Sequence, residues 1–443
     1  MAEIAPLTPL RYDLSRAPSG LSTLVAPPYD VIGPEERAVL AARDPHNVVK
    51  LILPEGEGDA KYDHARVLLE GWKDSGVLVR DNEPAFYRYD QTFVAPGGGT
   101  KSITRRGFLA LVRLAPFSER IVLPHERTLS GPKMDRLKLF RATKTQLSPG
   151  FMLYADPKGE LDGPLETGRV VHTWNTPDGI HHVLAKVTAR DAMQAVTEKI
   201  AGGTLLIADG HHRYETAVGY AAEVDAATGN TQPKAEHRYF MTFLVNGDDP
   251  NLVVFPTHRH VHSLPTFDGD AMIAKAKDVF DVRELARGVA ADVVSKELAA
   301  SGARTPSFAA ALPDGRTFLL ALKKDVDLAK HPTAGQREAV VRKTDVAILH
   351  SVLLEHVLGI SLEAQAAKTN LWYPQDAPAT LAELRGGKGQ VLFLMNATPV
   401  RDVREVAEAG SVMPQKSTFF YPKVPTGLAI HTLDPSRFVP IVL

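Results

Sequence analysis

Asp209, His211, His212 and Arg213 stand almost side by side in 204-TLLIADGHHRYETAVGY-220. They follow the apolar run LLIA and precede a stretch with helical patterning. The pattern predicts a strand that hands over to a helix at Gly210. A glycine there lets the chain turn sharply and keeps side-chain bulk away from a ligand. The first amides of a helix have no internal partners, and the helix dipole adds positive potential, so such a corner suits an anion. Gly210, His211, His212 and Arg213 therefore form a candidate phosphate cradle, with charge-assisted bonds from the side chains. Asp209 has several open readings: a plain helix cap, a ligand for Mg2+, or a catalytic carboxylate that takes a proton.

Four other stretches carry chemistry-bearing residues. In 124-PHERTLSGPKMDR-136, His125, Glu126 and Arg127 follow an apolar strand. Glu126 is a candidate general base, and Arg127 or Lys133 a candidate phosphate contact; a solvated loop is the plain alternative. Arg136 and Lys138 read as solvent-facing helix positions. In 26-APPYDVI-32 the prolines stiffen the backbone, which suits Tyr29 and Asp30 to a binding lip or to a structural arm. The segment 413-MPQKSTFFYPK-423 gathers Lys416, Ser417, Thr418, Tyr421 and Lys423. Its Lys-Ser-Thr lacks the glycine spacing of a P-loop, so a cationic pocket edge is the better reading, with Lys416 and Ser417 toward phosphate. In 258-HRHVH-262 three histidines at strand spacing share one face and could take Zn2+, but Arg259 as a phosphate or carboxylate ligand is the stronger reading. Asp345, His350 and Glu355 lie on a helix whose apolar stripe marks core packing.

The elements that must position these residues are numerous. The chain has 443 residues, long enough for two domains, and 44% apolar residues, enough for a sizeable core. The patterning gives a β-rich first part, with a hairpin around PGGGT at 96–100 and strands at 48–53, 86–94, 105–114, 238–246 and 252–261. An Ala- and Asp-rich stretch begins near 268. The expected division is an α+β domain over 1–255, carrying the first three motifs, and a second α+β lobe over 256–443. Strands and helices do not alternate strictly, so α+β is the expected class. Cysteine is absent, which excludes disulfides, thiolate metal sites and cysteine nucleophiles. Net charge is −1, unlike a general nucleic-acid binder. No signal-like or membrane-length apolar run occurs, so a cytoplasmic protein with no membrane partner is expected.

Two resemblances add to this reading. The turn GHHRYETA resembles the phosphate-binding element of the ParB/sulfiredoxin superfamily, where it follows a strand and contacts nucleotide phosphates. The sulfiredoxin form is G-C-H-R-Y; His211 stands in place of its cysteine, so sulfiredoxin chemistry is not implied. The free-serine kinases of that superfamily carry Asp-Gly-His-x-Arg, matched here by Asp209, Gly210, His211 and Arg213. The set APPYDVI, PHERT, DRLKL, ADGHHRYETA, PTHR and MPQKSTFFYPK, in order over residues 25–430, is similar to a prokaryotic family known as domain of unknown function one thousand and fifteen.

Together these imply a ParB/sulfiredoxin-like core in a larger two-lobed chain. The expected activity is phosphoryl transfer from ATP or ADP, with Mg2+, to a small hydroxyl metabolite such as free L-serine. Asp209, His211 and Glu126 would be catalytic, with Asp209 also the metal ligand. Gly210, His212, Arg213, Arg259, Lys416 and Ser417 would hold the nucleotide. Tyr29, Asp30, His125 and Arg127 would hold the acceptor. Two other readings stand beside it: a ParB-like regulator that binds CTP or ATP, and a metal-dependent hydrolase.

Overall fold

A computed structural model describes residues 1–94, 101–128, 130–230 and 232–442. The glycine-rich turn expected at 96–100 lies outside the described residues. The class is α+β, with helices set among several mixed or antiparallel sheets. Two compact units are formed. The first comprises Met1–Pro124, Thr128–Val253 and Pro422–Leu443, and the second His125–Arg127 and Val254–Tyr421.

A nine-stranded sheet organises the first unit. Its order is Val122–Leu123, Leu205–Asp209, Gly150–Tyr154, Tyr239–Asn246, Ser102–Arg113, Phe86–Val94, His181–Val187 and Arg169–Asn175, with Ile4–Ala5 also on Ser102–Arg113. Leu205–Asp209 runs parallel to Val122–Leu123 and antiparallel to Gly150–Tyr154. These three strands are buried along nearly their whole length. Phe108, Met152, Ile207, Tyr214, Phe240 and Leu244 meet in one buried cluster. Close strand approach makes Gly107 obligatory: a Cβ there would lie 2.4 Å from the Leu244 carbonyl oxygen.

The second unit has an antiparallel six-stranded sheet, ordered Phe280–Glu284, Thr317–Leu322, Ser307–Ala311, Val391–Met395, Arg259–Val261, Leu371–Trp372. Val294, Leu298, Leu319, Leu381, Leu392 and Leu394 belong to its core.

Three expectations are corrected. Residues 48–53, expected as a strand, form a helical turn at Val49–Ile52. Asn47 decides this: its Oδ1 accepts the Val49 N–H at 2.9 Å while its Nδ2 donates to the carbonyls of Thr23 and Val25 at 2.6 and 3.2 Å. That bonding, one local bond and two to a distant segment, outweighs the β propensity of a Val-Val pair. The strand expected over 252–261 is interrupted around Pro256 and resumes at Arg259–Val261. The helix expected over 343–358 is a helical turn at Asp345–Ile348 that widens into a π-helix at Leu349–Val357. Among the described residues no helix is long and apolar enough to cross a membrane.

Gly107→Ala should lower stability by about 2–3 kcal/mol, the scale of overpacking against a fixed neighbour. Urea denaturation measures this; an unchanged midpoint would mean the two strands can part without cost.

Candidate functional site

In the first unit, Leu205–Asp209 meets the helix His211–Thr228 at Gly210, which has φ 94° and ψ 27°. The left-handed conformation makes the abrupt turn and is cheap only for glycine. A register shift between Ile207 and Asp209 forms a bulge beside Ala208. Such bulges re-aim the side chain that follows. The N-cap position is Gly210 itself, which has no side chain to offer the first amides of the helix.

Asp209 faces two cations. Lys423 Nζ donates to Asp209 Oδ2 at 3.0 Å, and Arg213 Nη2 lies 3.4 Å from Oδ1. Arg213 is buried, and its Nη1 donates to the Pro149 carbonyl. A Cβ on Gly210 would sit 3.1 Å from the Arg213 guanidinium, so the glycine also makes room for this side chain. His211 is buried and His212 half-buried at the start of the helix. The rest of the motif is scaffolding. Tyr214, fully buried, donates to the Ala115 carbonyl at 2.8 Å and accepts the Ala115 N–H at 3.0 Å. Glu215 accepts from Lys133 Nζ at 2.8 Å and from the Thr128 hydroxyl. Lys133 is thus engaged by a carboxylate of the helix itself.

Tyr29 reaches the same corner. It shares a small cavity with Arg136, Ser148 and Arg213. Arg136, expected to face solvent, is buried with its guanidinium 4.1 Å over the Tyr29 ring and donates to the Ile52 carbonyl at 2.8 Å. Burial raises the Tyr29 phenol, and Asp30 adds to this while the two arginines oppose it. Asp30 is exposed in the same turn, Tyr29–Val31. The arm is held by paired bonds between Ala26 and Thr426, at 3.2 and 2.8 Å.

Lys423 was singled out within its motif but not assigned to the corner. Nothing local marks it, because residue 423 reaches 209 only through the fold. Arg105 secures its backbone: the fully buried guanidinium donates to the Pro422 carbonyl at 2.5 Å and to Gln91, whose Nε2 donates to the Lys423 carbonyl at 3.1 Å.

The remaining candidates lie in the second unit. His125 is buried and bonds Thr418 Oγ1 at 3.0 Å. Glu126 Oε1 accepts the Ser417 N–H at 3.0 Å. The Ser417 hydroxyl donates to the Pro414 carbonyl. Lys416 holds a left-handed backbone at φ 57°, and its carbonyl accepts from Arg259 Nη2 at 3.1 Å. Arg259 is fully buried and also donates to the Thr257 carbonyl and, at 3.0 Å, to His350 Nε2. His350 Nδ1 bonds Gln365 Oε1 at 2.7 Å. A guanidinium only donates, so Nε2 is the bare nitrogen and Nδ1 carries the proton. Burial brings Arg259 down to about 10, against the opposing pull of Tyr373 and Glu126. Arg259 therefore clamps the Lys416–Ser417 turn. Arg127 is exposed. Of the three histidines, His258 Nδ1 accepts the Met395 N–H at 3.3 Å and His262 stacks on Trp372. Among the described residues no group of three or more His, Asp or Glu is arranged to hold a metal ion.

Residues 4–347 match the family model described as a protein of unknown function, DUF1015. The chain belongs to this family. No curated protein matches it. Solved structures resemble it at low identity, among them the following three. A conserved hypothetical protein from Pyrococcus furiosus is 15% identical, with TM-score 0.34, covering 70% of this chain and 92% of its own. A free serine kinase in complex with AMP is 14% identical, with TM-score 0.36, covering 71% and 88%. SbnI from Staphylococcus aureus, truncated at its C-terminus, is 10% identical, with TM-score 0.36, covering 73% and 87%.

Burial and Arg259 hold the His350 imidazole well below its usual 6.5. A base whose folded value is depressed stabilises the fold above the unfolded value, and that stability is lost as pH falls through it. The urea midpoint should therefore decline from about pH 7.5 to about pH 5, and His350→Gln should flatten that decline. An identical slope in the variant would show that His350 does not titrate on unfolding.

Proposed function

We propose that the protein is a small-molecule phosphotransferase that takes its phosphoryl group from ATP or ADP and delivers it to a hydroxyl, such as that of free L-serine. One observation carries the reading. Asp209 stands between Lys423 and Arg213 at the start of an 18-residue helix. A helix start and a lysine suit phosphate oxygens, and a carboxylate at the same point can accept the acceptor's proton.

The resting ion pair has a use in this reading. Phosphates arriving at the helix start compete with Asp209 for Lys423. As the lysine turns to phosphate, Asp209 gives up one of its cations and becomes the better base. His211 and His212 flank the phosphates, and Gly210 keeps their approach open. Arg213, anchored on the Pro149 carbonyl, holds the geometry and adds positive charge. Tyr29 bounds the acceptor side. Glu126 is less suited to be the base, because one of its oxygens caps the Ser417 amide. Mg2+ would come with the donor, and the donor set fits that role only: Asp209 is one carboxylate, and the phosphates and water would complete the octahedron. The acceptor comes from the sequence resemblance to free-serine kinases.

Calorimetric titration of ATP and ADP with Mg2+ into wild type and Lys423→Met is the test. Losing one charge-assisted phosphate contact should weaken binding by about tenfold or more. Unaltered affinity in Lys423→Met, or no nucleotide binding by wild type, would remove the corner from consideration. If ADP forms from ATP at a rate independent of any hydroxyl acceptor, the transfer reaction fails while the nucleotide site stands.

A further inference from the structure

The second unit has a half-open cavity of about 250 Å3 that the nucleotide reading does not use. Its wall is aliphatic, including Val341, Leu362 and Met413, and no aspartate or glutamate lines it. Arg127, Arg337 and Tyr373 supply the polar side. Arg337 is already committed to Glu355, at 2.5 Å. Arg127 is exposed and has no such carboxylate partner among the described residues. Its backbone is fixed nonetheless: the preceding His125 carbonyl accepts the Met413 N–H at 2.8 Å, in a parallel bridge of Glu126 with Met413.

Tyr373 adds a second, independent signal. Its ring lies 5.0 Å from the Arg259 guanidinium, and its hydroxyl is buried with no hydrogen-bond partner. A buried hydroxyl left unbonded is costly unless a ligand bonds it. Two polar neighbours in the cavity wall are already engaged. His350 has both ring nitrogens engaged, and Gln365 spends its amide on His350 and on the Ile360 carbonyl.

We propose that this cavity binds a small aliphatic carboxylate. One uncommitted guanidinium and one hydroxyl match the two oxygens of a monoanion, and the aliphatic wall matches a branched hydrocarbon body. A phosphate would ask for more positive charge than the cavity offers. The site is independent of the corner at Asp209, so either can fail without the other.

The test is calorimetric titration of the full chain with 4-methylpentanoate, with its amide, and with inorganic phosphate. The carboxylate should bind in the millimolar range, and the amide at least tenfold more weakly. Arg127→Ala, at an exposed position, should cost tenfold or more, and Tyr373→Phe several-fold, both with unaltered circular dichroism. Lys423→Met should leave this binding untouched. Equal binding of the amide, stronger binding of phosphate, or undiminished affinity in Arg127→Ala would each overturn the proposal. So would the absence of any heat up to about 20 mM carboxylate.

Discussion

The contact between Lys423 and Asp209 sets the demands on the first unit. A flexible lysine on an exposed carboxylate contributes little by itself. Here both groups are mostly buried, with 20% and 15% of their side chains exposed, so removing either leaves the other as a partly desolvated charge. The pair persists only if the chain carrying Lys423 cannot drift. Arg105 and Gln91 hold that chain by its carbonyls, and the bonds between Ala26 and Thr426 tie the proline-rich arm to it. Three segments remote in sequence thus converge because one carboxylate needs its cation.

Much of the corner was legible in the residues. An apolar run, a glycine and a helical pattern fix a strand-to-helix turn through local rules alone, and the turn stands at Gly210. Other features were not local. Lys423 is one of several cations in a dense motif, and only strand order and the return of residues 422–443 single it out. Arg136 looked like a solvent-facing helix position, yet its guanidinium covers Tyr29. Val49–Ile52 looked like a strand because the side chain that decides it, Asn47, bonds to carbonyls more than twenty residues away.

The second unit shows the same logic with a different residue. Arg259 was read as a ligand group, and its type fits that role. In the fold its donors are spent on carbonyls of Thr257, Gln415 and Lys416 and on His350. A planar guanidinium serves equally well to brace a loop of carbonyls as to grip an anion, and sequence does not separate the two uses. Glu126 shows the same ambiguity: a carboxylate placed as a base is, in the fold, the cap of the Ser417 amide.

The first unit takes its last segment from Pro422–Leu443, after the chain has passed through the whole of Val254–Tyr421. On the ribosome, the strand and helix that meet at Gly210 are therefore made long before the lysine that answers Asp209. Until residue 423 has emerged, that carboxylate lacks its lysine. Closing so distant a contact is slow, because the loop entropy must be met before the contact forms. The corner is thus completed late in chain order, and a chain ended before residue 422 carries the motif without Lys423.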